Sequence, residues 1–199
     1  MNKTPTSLVI ASGNAGKLRE FAALLADLGL EIRPQPLGLE VEETGDTFAE
    51  NARLKAAAVA RATGCWALAD DSGLSVDALG GAPGVLSARY GSSDNDRIAR
   101  LLRELAALPD GAADRRAQFR AALAVADPSG VIRLEVEGVC KGSILEAPRG
   151  QGGFGYDPVF YVAEAGQSYA EMEPALKARL GHRGRAFALL APGLKGLLG

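Results

Sequence analysis

The chain has 199 residues, 47% hydrophobic and 23% charged, with a formal net charge of -2. Those proportions exclude a disordered or fibrous chain and describe an ordinary globular one, long enough for one well-buried core over residues 1–199. A balance so close to neutral argues against partnership with a nucleic-acid polymer, although a few local cations can still hold a small anionic ligand.

The amino-terminal MNKTPTSLVIAS has only a short apolar run, without the longer apolar region of a secretory signal, and no other segment is long enough to span a bilayer. Cys65 and Cys140 stand far apart, with no CxxC and no accompanying histidines. They read as reduced structural thiols, and the expected location is cytoplasmic.

Leu8 to Ala11 predict a brief buried strand. Leu18, Phe21, Leu25 and Leu28 then recur at helical spacing until Gly29 stops the helix. Thr47 and Glu50 have the spacing of a capping box, opening an alanine-rich helix that ends near Gly64. Trp66 to Ala69 predict a second buried strand, with ADDSG as the turn that ends it. Asp70 and Asp71 would leave that strand on opposite faces, so only one of them can serve a given cleft.

A third helix is expected from about Asp94 to Leu108, with Ile98, Leu101, Leu102 and Leu105 on one side and Pro109 and Gly111 marking its end. Between Gln118 and Val139 two β-rich runs flank Pro128, Ser129 and Gly130, which reads as a hairpin. The tail from Arg183 to Leu198 is helical in pattern, and Pro192 and Gly193 should interrupt or end its first helix. The sum is a mixed α/β fold, a twisted mixed sheet flanked by helices.

Four segments can carry chemistry. SGNAGK, Ser12 to Lys17, joins the first strand to the first helix, where backbone N–H groups and the helix dipole can receive phosphate oxygens. It is not a P-loop, because Ala11 and Leu18 stand where that motif needs Gly and Ser or Thr. Adjacent carboxylates at a strand end suit a hard cation, and magnesium binds through one or two carboxylates plus substrate phosphates. Glu42 and Glu43 precede a helix on which Asn51 and Lys55 share a face, and one glutamate could complete a metal site with Asp71.

GQGGFGYDP, Gly150 to Pro158, is a glycine-dense turn where an aromatic ring could stack on a base, and Lys177, His182, Arg183 and Arg185 form a basic group around the only histidine. Each segment taken alone also describes an ordinary turn, a solvated helix face or a structural histidine.

In order along the chain, SGNAGKLREF, EETGDTFAENARLKA, ADDSGLSVDALGGAPGVLSARY, GGFGYDPVF and GHRGRA resemble the inosine triphosphate pyrophosphatase family, the Ham1-like house-cleaning nucleotidases. The resemblance covers almost the whole chain and is far more specific than any single motif. It implies an elongated two-lobed α/β fold with a nucleotide cleft between the lobes, a homodimer, and magnesium-dependent hydrolysis of ITP, dITP and XTP to the monophosphate and pyrophosphate.

Carried over by motif, Ser12, Gly13, Asn14, Ala15, Gly16 and Lys17 would hold the triphosphate. Glu42 and Asp71 would serve the metal, and Asp71 would also accept a proton. Lys55 would lie near the phosphates and Ser72 would contact substrate. Phe154, Gly155, Tyr156 and Asp157 would form the base platform, completed by Lys177, His182 and Arg183.

Gly181 departs from the serine usual before the histidine in bacterial members, which bears on base preference. A Maf-like nucleotide pyrophosphatase with another base preference is opposed by FGYDP and HRGR. A non-catalytic nucleotide-binding module is opposed by the retained Asp71 and Glu42.

Overall fold

The computed structural model describes residues 6–109 and 114–199. Its main elements in chain order are β1 (Ser7–Ala11), α1 (Ala15–Leu25), β2 (Glu31–Pro34), α2 (Phe48–Thr63), β3 (Trp66–Val76), α3 (Asp94–Ala106), β4 (Arg116–Ala126), β5 (Ile132–Ile144), β6 (Phe160–Val162), β7 (Gln167–Ser168), α4 (Pro174–Leu180) and α5 (His182–Leu198). The strands form one sheet of seven in the order β2-β1-β3-β4-β5-β6-β7. It is mixed, as expected: β1 pairs in parallel with both β2 and β3, while β5–β6 and β6–β7 are antiparallel.

The described chain divides into two compact units, one of residues 6–71, 121–138 and 183–199, the other of residues 72–109, 114–120 and 139–182. In the first unit, alternation along the strands builds two cores. Leu8, Ile10 and Leu68 pack with Phe21 and Leu25 of α1 and with Ala186, Leu190 and Leu194 of α5. Val9, Ala11, Ala67 and Ala69 pack with Ala52, Ala56, Val59 and Ala60 of α2. Alanine dominates this second core because the small side chain permits close helix-to-strand approach without a void. In the second unit Leu101 and Leu105 of α3 join Leu74, Val76, Phe119, Cys140, Phe160 and Tyr169.

Several local signals act as read. The capping box at Thr47 and Glu50 is made in both directions, and α2 closes on Gly64 with a left-handed φ of 64°. Gly29, at φ 67°, ends the short 3-10 turn that follows α1. Asp127 organises the hairpin turn, its side chain accepting from the Ser129 and Val131 amides at 2.9 and 3.1 Å. Neither cysteine is in a disulfide, and no helix among the described residues is long and apolar enough to cross a membrane.

Two expectations are overturned. The strand that was to stop at Ala69 continues to Val76, so ADDSG lies inside β3 rather than in a turn. Both aspartates sit there because cations and an amide meet them, outweighing the penalty for a buried carboxylate at Asp70 and offsetting part of it at Asp71. Pro192 does not break the last helix, which runs unbroken from His182 to Leu198. Pro192 is exposed, as is Ala188 four residues before it. The carbonyl that loses its hydrogen bond therefore faces water, while Leu190, Leu194 and Leu198 keep the helix packed on both sides of the proline.

The strands β2, β6 and β7 have no counterpart in the sequence reading. They are short, and β2 is mostly exposed, so neither length nor alternation marks them. Helix α3 ends at Ala106. Gly111, the expected stop, lies outside the described residues, as do Met1 to Pro5 of the amino-terminal run.

Candidate functional site

In the first unit, β1 is followed by α1 and then by β2 on one side of it, and α2 leads to β3 on its other side. The strand order therefore reverses at β1. In parallel α/β sheets the crevice outside the strand carboxyl ends at such a switch point is where ligands bind. Ala11, the last residue of β1, is in register with Ala69, so the Ser12–Lys17 loop and the Asp70–Asp71 pair follow the same rung of the ladder.

The loop is shaped by its own side chains. The Asn14 amide donates to Ser12 Oγ at 3.1 Å, and Asn14 caps α1 by accepting from the Lys17 amide at 3.0 Å. Gly13, Asn14 and Ala15 are exposed.

Alternation sends the two aspartates to opposite faces. Asp70, on the α1 and α5 side with Leu68, lies with Oδ2 at 2.6 Å from Lys17 Nζ and 3.3 Å from Arg183 Nε. Arg183 also reaches Glu20 at 2.8 Å. Burial would raise the Asp70 pKa, but the Arg183 and Lys17 charges outweigh it and hold the carboxyl well below the usual carboxylate range.

Asp71, on the α2 side, accepts from the Asn51 side-chain amide at 3.1 Å through Oδ2 and lies 3.3 Å from Lys55 Nζ through Oδ1. Lys55 also meets Glu43 at 2.5 Å. Burial pushes the Asp71 pKa up, and Lys55 and Lys17 offset it only in part. For Lys55, burial works against the charge, but Asp71 and Glu43 outweigh it and raise the pKa, so the proton stays on the lysine.

The sequence marks Asn51 only as a neighbour of Lys55 on the helix face. It is 1% exposed and oriented from behind, its own Oδ1 accepting from the Gly45 amide at 2.8 Å. The Asn51–Lys55 spacing, four residues on one face of α2, was the signal that could have found it. Of the two glutamates, Glu43 is the one on Lys55, whereas Glu42 is exposed. Among the described residues no group of three His, Cys, Asp or Glu side chains is gathered closely enough to cage an ion alone.

In the second unit, Phe154 to Asp157 form a turn after two glycines. The Asp157 carboxylate, 3% exposed, accepts from the Phe154 amide at 2.9 Å and from Lys177 Nζ at 2.6 Å. That ammonium also lies 5.1 Å from the Phe154 ring centroid. Tyr156 is buried and donates to the Ser87 carbonyl at 3.0 Å, and burial raises its pKa so that it remains a donor. Phe154 keeps a half-exposed ring, and Ser72 is also half-buried.

His182 is 3% exposed, its ring stacked on Phe119 at 4.7 Å and its amide donating to Tyr169 Oη at 3.3 Å. The histidine and arginine read together as one basic group thus serve different clusters, His182 with the aromatic rings and Arg183 with Asp70. Gly181 closes α4 by donating to the Lys177 carbonyl at 2.8 Å, and a Cβ there would come within 2.5 Å of that oxygen. A serine there would therefore need the backbone to shift.

A switch-point loop beside paired lysine–aspartate contacts, with a separate aromatic turn, defines a mixed α/β protein with a charged site at its parallel strand ends. The Ham1 family model matches residues 8–192. A relative from Synechococcus sp. (strain CC9311), named dITP/XTP pyrophosphatase, is 62% identical over 191 residues, 96% of this chain and 91% of that protein. One of the same name from Nostoc sp. (strain PCC 7120 / SAG 25.82 / UTEX 2576) is 57% identical over 96% of this chain and 95% of its own. The solved structure of a HAM1 protein from Coxiella burnetii superposes with a TM-score of 0.85 at 42% identity, covering 96% of this chain and 99% of that one. The chain belongs to the Ham1 family.

Proposed function

We propose that this protein hydrolyses non-canonical purine nucleoside triphosphates, ITP, dITP and XTP, to the monophosphate and pyrophosphate. The carrying observation is Asp71, a largely buried carboxylate at the switch point with one oxygen on the Asn51 amide and the other facing Lys55. The dITP/XTP pyrophosphatase name of the relatives supports the substrate class.

The first turn of α1 and the Ser12–Lys17 loop would receive phosphate oxygens, with Lys17 adding a full charge. Asp71 would take a proton from the water that attacks the α-phosphorus. The new bond is from water oxygen to phosphorus, and the bond to the pyrophosphate oxygen breaks. In the metal-free chain burial outweighs the lysine charges on Asp71 and favours its protonated form, the direction a proton acceptor needs. Asn51 and Lys55 fix its orientation before substrate arrives, and Lys55 can stabilise charge as it develops.

Magnesium suits this donor set, because it uses one or two carboxylates and leaves the rest of its shell to water and phosphate. Asp71 would hold it with one glutamate, Glu42 by motif or Glu43 by its place beside Lys55. When bound, the ion would neutralise phosphate charge.

In the second unit Phe154 would stack on the purine and Lys177 would donate to a 6-oxo group. A 6-amino group would set donor against donor there, which can support large discrimination. Homodimerisation and a cytoplasmic location belong to the same reading, checked by sedimentation velocity and by fractionation.

The test is a panel of ITP, dITP, XTP, GTP, ATP and dUTP with separate detection of pyrophosphate and orthophosphate. Pyrophosphate should be released from the first three, lost on chelation with EDTA and restored by magnesium. Orthophosphate as the direct product would overturn the cleavage position.

A further inference from the structure

Two consecutive amides of the Phe154–Asp157 turn are each held by a carboxylate. The Phe154 amide donates to Asp157 within the turn. The Gly155 amide donates at 2.7 Å to Asp94 Oδ2, from a residue 61 positions earlier in the chain. Gly155 has φ 62°, a conformation that glycine adopts without strain.

Asp94 is the first residue of α3, but capping of that helix is done by others. Ser93 is the N-cap and accepts from the Asp96 amide, while Asp96 accepts from the Ser92 amide and hydroxyl. The remaining Asp94 oxygen is paired with Arg97 Nη1 at 2.7 Å, and Arg97 Nε donates to the Gly91 carbonyl at 3.3 Å. Asp94 is thus oriented on one side by Arg97, and its carboxylate takes no part in the Ser93–Asp96 cap.

We propose that Asp94 is a positioning residue for base recognition, holding the Gly155 amide so that the Phe154 ring keeps the orientation a purine stacks on. The inference rests on the reading of Phe154–Asp157 as the base platform. A charge-assisted bond at 2.7 Å is among the stronger kinds, and an Asp94 side chain 46% exposed gives it a moderate rather than maximal effect. Because the Asp94 carboxylate is committed to the Gly155 amide and to Arg97, its loss should change binding and leave the chemical step alone.

The test compares Asp94→Ala, Asp94→Asn and Asp96→Ala for KM and kcat with ITP, melting temperature, and hydrogen exchange of the Gly155 amide by NMR. Asp94→Ala should raise KM about tenfold with kcat nearly unchanged and speed Gly155 exchange by a similar factor. Asp94→Asn keeps a neutral acceptor and should recover most of the loss. Asp96→Ala removes an acid from the same helical turn and should lower the melting temperature without moving KM or Gly155 exchange.

A wild-type KM in Asp94→Ala, or unchanged Gly155 exchange, overturns the proposal. So does an equal KM rise in Asp96→Ala, which would make the effect general loosening of α3. If the wild-type protein leaves ITP intact, the substrate reading fails instead, and Gly155 exchange alone decides whether Asp94 holds the turn.

Discussion

The two units use charge in opposite ways. In the first, cations and carboxylates from different elements face one another as side chains: Lys17 and Arg183 share Asp70, and Lys55 joins Asp71 to Glu43. In the second, carboxylates hold one turn, Asp157 taking an amide and an ammonium and Asp94 taking a second amide. Side-chain ion pairs can exchange partners with an incoming anion or cation, so the first arrangement is compatible with the proposed phosphate and metal. Carboxylates committed to amides fix a shape, so the second presents a ring.

The sharpest break in this comparison is Asp71→Asn, which removes a base while preserving size and a hydrogen bond to Asn51. Turnover should fall about 10²- to 10⁴-fold with nucleotide still bound, read by pyrophosphate release and by titration calorimetry. Wild-type-like turnover would sink Asp71 as the base.

Asp70→Asn acts on the other face of the same strand. It leaves Lys17 and Arg183 without their shared buried counter-charge, and breaking such a pair costs about 3–5 kcal/mol. Urea unfolding should show that loss, and an unchanged midpoint would mean Asp70 is not holding the cations. Its folded pKa is lowered, so this contribution is present above the ordinary aspartate range and is lost as pH falls toward the depressed folded value.

Phe154→Ala tests the second unit and should weaken ITP binding by about 1–3 kcal/mol, the worth of one stacked base, with turnover at saturation little changed. Unchanged affinity would remove Phe154 from the base site. The finest distinction is between adjacent glutamates. Glu43→Gln should raise the magnesium concentration needed for activity about tenfold, while Glu42→Gln should leave it within about twofold. The reverse result would return the metal role to Glu42.

Much of the local structure was legible because short-range chemistry decides it. Thr47 and Glu50 are three apart and cap each other whatever surrounds them. Gly29 and Gly64 stop helical runs because their left-handed φ is open to glycine. The opposite faces of Asp70 and Asp71 follow from strand geometry alone. The extent of β3 was not legible, because Asp-Asp-Ser-Gly favours a turn unless distant cations arrive, and Lys17, Lys55 and Arg183 come from three different helices.

By itself, then, the sequence determined the family, through motif order, and the opposite faces of the two aspartates, through strand alternation. Only the tertiary structure decided their partners: Glu43 rather than Glu42 on Lys55, Asn51 on Asp71, Arg183 on Asp70 apart from its neighbour His182, and Asp94 on Gly155. The reason is physical. Periodicity and caps act over a few residues, whereas a buried charge is settled by whichever opposite group the packed fold brings within hydrogen-bond reach.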